Sequence, residues 1–303
     1  MVQTAAPPAA ARSASNRANQ LARARRRRVG GRAALYVLVV LFALFSALPF
    51  YIATILSFKQ DSDLYAVGNN PYKFNINPTV QHWGYLFAQT PFITFALNTL
   101  LVGVLVVAIT LVLGLPAAYS LARLDLRFGT AMGIGIFFVY LIPPTLLFIS
   151  MSQIVVVLGL QNTVWSLVVV YPTITIPVSV WLLMGFFKSL PKDIEEQAMV
   201  DGYSRAGAFL RAVVPLTYPG IVAVVVFAFT LSVSEYIYAL AFISSSASKT
   251  LSVGVPTELV RGDVFFWQSL EAAAVIVAVP IALVFNLFLR KFVSGFTMGA
   301  VKG

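Results

Sequence analysis

Cysteine is missing from all 303 residues, histidine occurs once, and aspartate and glutamate together number 11. Without cysteine there is no disulfide, no thiolate metal site and no cysteine nucleophile. With His82 alone there is no histidine cluster and no His-Glu-x-x-His zinc pair. Nor does any stretch match the Gly-x-x-x-x-Gly-Lys-Ser/Thr loop that cradles phosphates, so the chain does not bind ATP by that route. A serine hydrolase working inside a membrane needs a basic partner near its serine, and His82 lies outside the apolar runs. An enzyme reading is therefore poor, and the sequence offers no catalytic residue and no metal ligand.

Charge is scarce too. Charged residues make up 11% of the chain and apolar ones 59%, against roughly 25% charged in an average soluble protein, and mean hydropathy is +0.87. The composition is that of an all-α integral membrane protein with one membrane domain, because lipid requires backbone groups to be satisfied within helices and no alternating pattern suggests a barrel. Six segments reach the about 20 residues needed to cross a core of roughly 30 Å. Their approximate limits are 33–56, 93–120, 130–150, 164–187, 217–243 and 268–290. Pro143-Pro144 predicts a kink or early end in the third, and Pro215 and Pro219 suit the start of the fifth.

The formal charge of +10 is uneven. Residues 1–32 hold eight arginines, at 12, 17, 23, 25–28 and 32, and no acid; the arm is rich in Ala, Pro, Ser and Asn and is predicted to be disordered. A basic run just before a span reads as a topology signal or an anionic-lipid contact, and no nucleic-acid partner is expected. The apolar run behind it exceeds the roughly 7–15 residues of a signal-peptide core, so no cleavable signal is expected. With the N-terminus inside, the inner segments carry 17 lysines and arginines and the outer ones four, Lys59, Lys73, Lys249 and Arg261. That asymmetry predicts both termini on the cytoplasmic side of a bacterial or archaeal inner membrane.

Outside, "VQHWGYLF" (80–87) reads as a short interfacial helix with a solvated His82, and 244–267 as a long functional loop without clear helical period. Two acids lie within apolar runs. Glu235 and Glu271 sit near outer span ends, and Ser232, Ser234, Tyr236 and Tyr238 give the segment around Glu235 a polar stripe. Since a central acid costs roughly 2.5–3.5 kcal/mol on insertion scales, Glu235 reads either as a snorkelling interfacial group or as part of a substrate path with Ser234, Tyr236 and Tyr238.

The inner loop 188–216 is richest in charge. "KDIEEQAMV" (192–200) forms a turn or two of helix with Glu195 and Glu196 near its positive end and Ile194 and Met199 as apolar contacts. Asp201-Gly202 breaks it. "SRAGAFLRAVV" (204–214) resumes, with Ser204 as cap, an apolar side of Phe209, Leu210 and Val213, and Pro215 closing it. A helix–turn–helix showing apolar residues outside the membrane is a place for something to dock.

This loop resembles the signature of the inner-membrane subunits of ABC importers, Glu-Ala-Ala, three residues, Gly, nine residues, Ile, one residue, Leu-Pro. Glu196, Ala198, Gly202 and Pro215 match at that spacing, Glu195 and Asp201 resemble the fuller form, and Gln197, Ala212 and Val214 depart from it. "AYSLARL" (118–124), "GLQNTVWSLV" (159–168), "VWLLMGFFKSLP" (180–191) and "VSGFTMGAVKG" (293–303) are similar to the second permease subunit of the maltose-type carbohydrate importers, from about 33 to 303. Val233-Ser234 departs where that subgroup commonly has Trp-Asn. The resemblance implies a second homologous permease, two cytoplasmic ATPases that bind ATP and Mg while this chain holds no cofactor, and an extracytoplasmic sugar-binding protein. It implies ATPase coupling through Glu195, Glu196, Gln197, Ala198, Asp201, Gly202 and Pro215, and a tail of Gly299, Ala300, Val301, Lys302 and Gly303 reaching toward the ATPase interface. An importer of a non-sugar solute, or an ion-coupled carrier acting alone, are the other readings.

Overall fold

A computed structural model describes the backbone over residues 9–300 and the side chains over 31–286 apart from 33 and 284. The chain divides into a first unit ending at Ile55 and a second starting at Leu56. In the first, α1 (Ala9–Ser57) carries an apolar stretch from Ala34. Its side chains there are exposed all round, Leu35, Phe42 and Phe45 among them, as suits a helix whose surroundings are themselves apolar. The helix reaches back to Ala9 through the arm for which composition predicts no order. Alanine and arginine are strong helix formers, and no proline lies between Ala9 and Leu48 to stop a helix that the apolar stretch nucleates.

The second unit opens with α2 (Asp61–Tyr65) and α3 (Gln81–Gln89). Here Lys59 and Asp63 form a fully buried ion pair at 3.2 Å. It is tolerated because its remaining valences are filled within the segment: Asn75 Nδ2 and Asn69 Nδ2 donate to Asp63 Oδ1 at 2.7 and 3.1 Å, and Lys59 Nζ donates to the Asn70 carbonyl at 3.0 Å. His82, expected to be solvated, is mostly covered instead. Its side chain is 13% exposed and its Nε2 lies 3.8 Å from Asp61 Oδ1, because the short helix lies down on the start of the last helix, where Ser269 Oγ donates to the His82 carbonyl.

α4 (Phe92–Arg123) is the axis of the unit. Its 32 residues span about 48 Å if straight. α5 (Gly129–Tyr140) and α6 (Pro144–Val157) meet at 92° across Pro143-Pro144, a full break where the sequence allows a kink. α7 (Val164–Val170) and α8 (Pro172–Ser189) run on together and pack along α4, where Thr110 Oγ1 and Thr175 Oγ1 share a buried hydrogen bond of 2.7 Å. α9 (Asp193–Val200) follows, then α10 (Arg205–Ala208), a widened π turn (Phe209–Val213) and α11 (Val214–Leu216), which form one continuous helical arm. The arm ends at Leu216, one residue past Pro215, and the chain bends by 77° into α12 (Tyr218–Ser234).

The predicted fifth span is not one helix. α12 stops at Ser234, and α13 (Ile237–Phe242) restarts after Glu235 and Tyr236. The predicted long loop is also more regular than expected, with α14 (Leu251–Leu259) and a two-stranded hairpin, β1 (Val260–Arg261) and β2 (Val264–Phe265). α14 is held on α4 by Leu251 N donating to Thr99 Oγ1 at 2.8 Å, and Gly254 lies so close to Phe95 that a Cβ would fall 2.5 Å from its ring. α15 (Trp267–Ala300) ends the described chain. Among the described residues three helices are long and apolar enough to cross a membrane, or five if each bent pair is one span, where the sequence predicts six; the apolar part of α15, Trp267–Leu283, is shorter.

Candidate functional site

Two regions at opposite ends of the bundle carry the polar chemistry. The first is the 188–216 loop. α9 ends in a hydrogen-bonded stop: Gly202 N donates to the Met199 carbonyl and Tyr203 N to the Ala198 carbonyl, each at 3.1 Å. This closure requires a left-handed residue one past the cap, and Gly202 has φ +91°. Asp201, at the cap itself, donates its N–H to the Gln197 carbonyl. Ser204 then starts the next helix, its Oγ accepting from Gly207 N at 3.2 Å.

What fixes this helix–turn–helix to the bundle is Arg123, the last residue of α4. Its Nε pairs with Glu195 Oε1, its Nη1 donates to the Leu190 carbonyl at 2.8 Å and its Nη2 to the Pro191 carbonyl at 2.9 Å. Those carbonyls lie just past the end of α8, where helix geometry leaves acceptors without partners. Tyr119 Oη donates to Glu195 Oε2 at 3.1 Å. The ion pair is 3% exposed at the arginine and 14% at the glutamate. Beside it Phe209 and Val213 of the π turn enter a core shared with Tyr119, Leu183 and Phe187, and the Tyr119 and Phe209 rings lie 4.5 Å apart. One side chain thus joins the ends of α4 and α8 to the start of α9.

The other face of the loop is open. Val200 is 87% exposed and Leu210 62%, and Tyr203 and Leu216 are also exposed. Leu210 therefore belongs to the outer surface and not to the buried side with Phe209 and Val213. Among the residues of the signature, Ala198 is buried, and Glu196, Gln197, Asp201, Gly202 and Pro215 are exposed. Gln197, which departs from the family pattern, thus has room for its longer side chain. In the tail, α15 includes Gly299 and Ala300; Val301, Lys302 and Gly303 lie outside the described residues.

The second region lies where α12 gives way to α13. Glu235 fills the gap in the helical ladder with its carboxylate: Tyr238 N donates to Oε1 at 2.9 Å, and Ala239 N and Tyr171 Oη donate to Oε2 at 3.1 and 2.8 Å. Its carbonyl accepts from Ser252 Oγ at 2.7 Å. It lines a cavity of about 650 Å³ with Tyr171, Thr175, Ser232, Ser234 and Tyr238, closed on another side by the broken α5–α6 corner. Tyr236 is exposed and does not line this cavity. A freely snorkelling Glu235 does not describe this geometry. Glu271 is half-buried and has no hydrogen-bonding or ionic partner among the described residues.

Sequence reading assigned no role to Arg123 or Tyr119, met only within the "AYSLARL" stretch and the charge count, or to Tyr171. Arg123 and Glu195 are 72 positions apart, so no local pattern pairs them; a lone arginine closing a long apolar helix was the available signal.

Residues 21–297 match the sequence model of the family described as "Binding-protein-dependent transport system inner membrane component". The chain is 35% identical over 227 residues, 75% of its length and 79% of the relative's, to the sulfoquinovosyl glycerol transport system permease protein of Agrobacterium fabrum. It is 32% identical to the diacetylchitobiose uptake system permease protein of Streptomyces coelicolor, covering 84% of this chain and 91% of that one. To the trehalose/maltose transport system permease protein of Thermococcus litoralis it is 28% identical, over 89% and 96%. Its fold is similar to a chain in the crystal structure of a bacterial ABC transporter involved in the import of the acidic polysaccharide alginate, with a TM-score of 0.74 at 18% identity, over 88% of this chain and 97% of that one.

Proposed function

This chain belongs to the family of binding-protein-dependent transport system inner membrane components, and from that premise we propose that it is the permease subunit of an ABC importer that moves a sugar across the inner membrane. The relatives named for sulfoquinovosyl glycerol, diacetylchitobiose and trehalose/maltose transport support a sugar: an oligosaccharide, a glucoside or a polyol. In this reading the chain crosses the membrane six times with both termini cytoplasmic, an orientation that the 17 to 4 split of lysines and arginines supports. The partners are a second permease, two cytoplasmic ATPases that hold ATP and Mg, and an extracytoplasmic sugar-binding protein.

The observation that carries the coupling role is the double character of the 188–216 loop. Its outer face offers Val200, Tyr203 and Leu210 to a partner, while its inner face is tied by Arg123 to both α4 and α8. A push on the outer face moves those helices and not merely a loop. Ser234, Glu235 and Tyr238, which line the cavity at the α12–α13 break, lie on the substrate path in this reading, and residues 299–303 reach the ATPase interface.

Glu196→Lys tests this reading, because Glu196 is exposed in the first turn of α9. In liposomes holding the full transporter, the variant is expected to insert normally, to bind the ATPases more weakly and to lose sugar uptake; wild-type uptake would refute coupling at this loop. Uptake by the purified chain alone under an ion gradient would replace the importer with a secondary carrier. A screen of the cognate binding protein against sugars and polyols identifies the solute, and a receptor specific for peptides or ions would move the chain to an importer of another solute.

A further inference from the structure

The first unit, residues 1–55, holds eight arginines and neither aspartate nor glutamate. Composition predicts disorder for the arm, yet α1 runs through it from Ala9 to Ser57, across Gly30 and Gly31, so all eight stand on one helix. Arg23 and Arg27 are four positions apart, as are Arg28 and Arg32, and Arg25 and Arg28 are three apart. Those are the spacings at which like charges on a helix repel. No acid on α1 offsets them, so a counter-charge has to come from elsewhere.

The continuous helix also fixes how far each arginine stands from the apolar stretch that starts at Ala34. At about 1.5 Å per residue, Arg32 is about 3 Å from it, Arg28 about 9 Å and Arg25 about 13 Å, whereas Arg17 and Arg12 are about 25 and 33 Å away. The headgroup layer is roughly 5–7 Å thick on each side of the hydrocarbon core, and the field of a charged surface reaches about 8 Å further at physiological salt. Arg25, Arg26, Arg27, Arg28 and Arg32 fall within that range, Arg23 stands at its limit, and Arg12 and Arg17 lie well beyond it. A loose coil would let all eight settle on the surface alike. Positions 25–28 step round the helix axis by about 100° each, so the cluster has no single face. That suits several small headgroups around a helix better than one flat macromolecular surface.

We infer that Arg25, Arg26, Arg27, Arg28 and Arg32 form a collar that binds the headgroups of anionic phospholipids in the cytoplasmic leaflet. The collar rests on the orientation proposed above and adds a ligand to it. Basic clusters beside a span are attracted to anionic lipid one residue at a time, so its strength depends on how many arginines lie close to the surface and not on the total in the arm.

The test reconstitutes the full chain in liposomes of mixed phosphatidylcholine and phosphatidylglycerol, where spin-labelled forms of the two lipids report which is preferred at the protein surface. The wild type is expected to prefer phosphatidylglycerol about threefold or more. Replacing all five collar arginines by Gln should remove more than about half of that preference, whereas Arg12→Gln/Arg17→Gln should leave it within about a fifth of wild type. The five-site variant keeps twelve inner lysines and arginines against four outer ones, so its orientation should hold. Ser13→Cys places one thiol in this cysteine-free chain and reports that orientation through an impermeant maleimide on spheroplasts. No preference in the wild type, an unchanged preference or an inverted N-terminus in the five-site variant, or an equal loss in the two-site variant overturns the collar. The equal loss would mean that charge counts whatever its distance from the span, as on a nucleic acid. A wild-type thiol labelled from outside would instead overturn the orientation and the cytoplasmic placement, while the lipid preference, open to both liposome leaflets, shows separately whether the collar exists.

Discussion

Two glutamates at opposite ends of the bundle each accept a hydrogen bond from a tyrosine hydroxyl, Glu195 from Tyr119 and Glu235 from Tyr171. They differ in what else they meet. Glu195 has Arg123 against it, and that arginine also holds the carbonyls of Leu190 and Pro191. Glu235 has only backbone amides of its own next helix. The first has a cation against it and binds three elements together, whereas the second has none among the described residues and caps the start of α13. Nearly the same carboxylate–phenol contact thus joins three elements in one place and bridges a break in a helix in the other.

The comparison breaks most sharply at Arg123. Arg123→Gln strands Glu195 and frees two carbonyls, and is expected to destabilise the protein by about 3 kcal/mol, at the low end for a buried pair because Glu195 keeps some water contact. Denaturation of the detergent-solubilised chain measures this, and liposome uptake should fall to background. In the double variant Arg123→Gln/Glu195→Gln, part of the loss should return, with about 1–2 kcal/mol of coupling between the sites. Strictly additive effects would mean that the pair is not the joint.

Glu235 should behave differently under the same change of charge. Glu235→Ala removes the acceptor for two amides and a phenol and should cost about 2 kcal/mol. Glu235→Gln keeps an acceptor for part of that set and should cost about 1 kcal/mol or less. Were Gln as damaging as Ala at 235, the negative charge itself would be needed for folding, and the contrast with Glu195 would collapse.

Local signals made the 188–216 loop legible. Asp201-Gly202, Ser204 and the acids at the start of α9 each act within four residues, so sequence reading places both helices and their turn. The break at Glu235 was invisible for the opposite reason. Apolar residues continue through Val233, Ile237 and Leu240 without glycine or proline, and the ladder is interrupted by a side chain that supplies the missing acceptor. Pro143-Pro144 announced the α5–α6 corner but not its 92° angle, which depends on packing against α8. Neither acid's tyrosine could be named in advance, since Glu195 and Glu235 find their partners 76 and 64 positions away.

A smaller effect tests the outer side of the joint. Gly202 adopts φ +91° with nothing near its absent Cβ, so the strain of Gly202→Val comes from the backbone alone and should cost about 1–2 kcal/mol. Because the residue is surface-exposed, the helices of the bundle should remain folded while α9 loses its closure, which amide exchange over 193–203 would register. Sugar uptake should drop more than stability does. Equal loss in both would place Gly202 among ordinary structural residues.

The smallest effects belong to the two tyrosines, and their order is the point. Tyr119→Phe removes one donor from a carboxylate that retains an arginine, and the ring keeps its packing on Phe187 and Phe209, so about 0.5 kcal/mol is expected. Tyr171→Phe removes the sole side-chain donor to an acid that has no cation against it among the described residues, at a position 1% exposed, and about 1–1.5 kcal/mol is expected. Unfolding measurements on the two variants under one condition decide between them. A larger loss at Tyr119 would mean that the arginine does not neutralise Glu195, and the division into a carboxylate with a cation and one without would have to be redrawn.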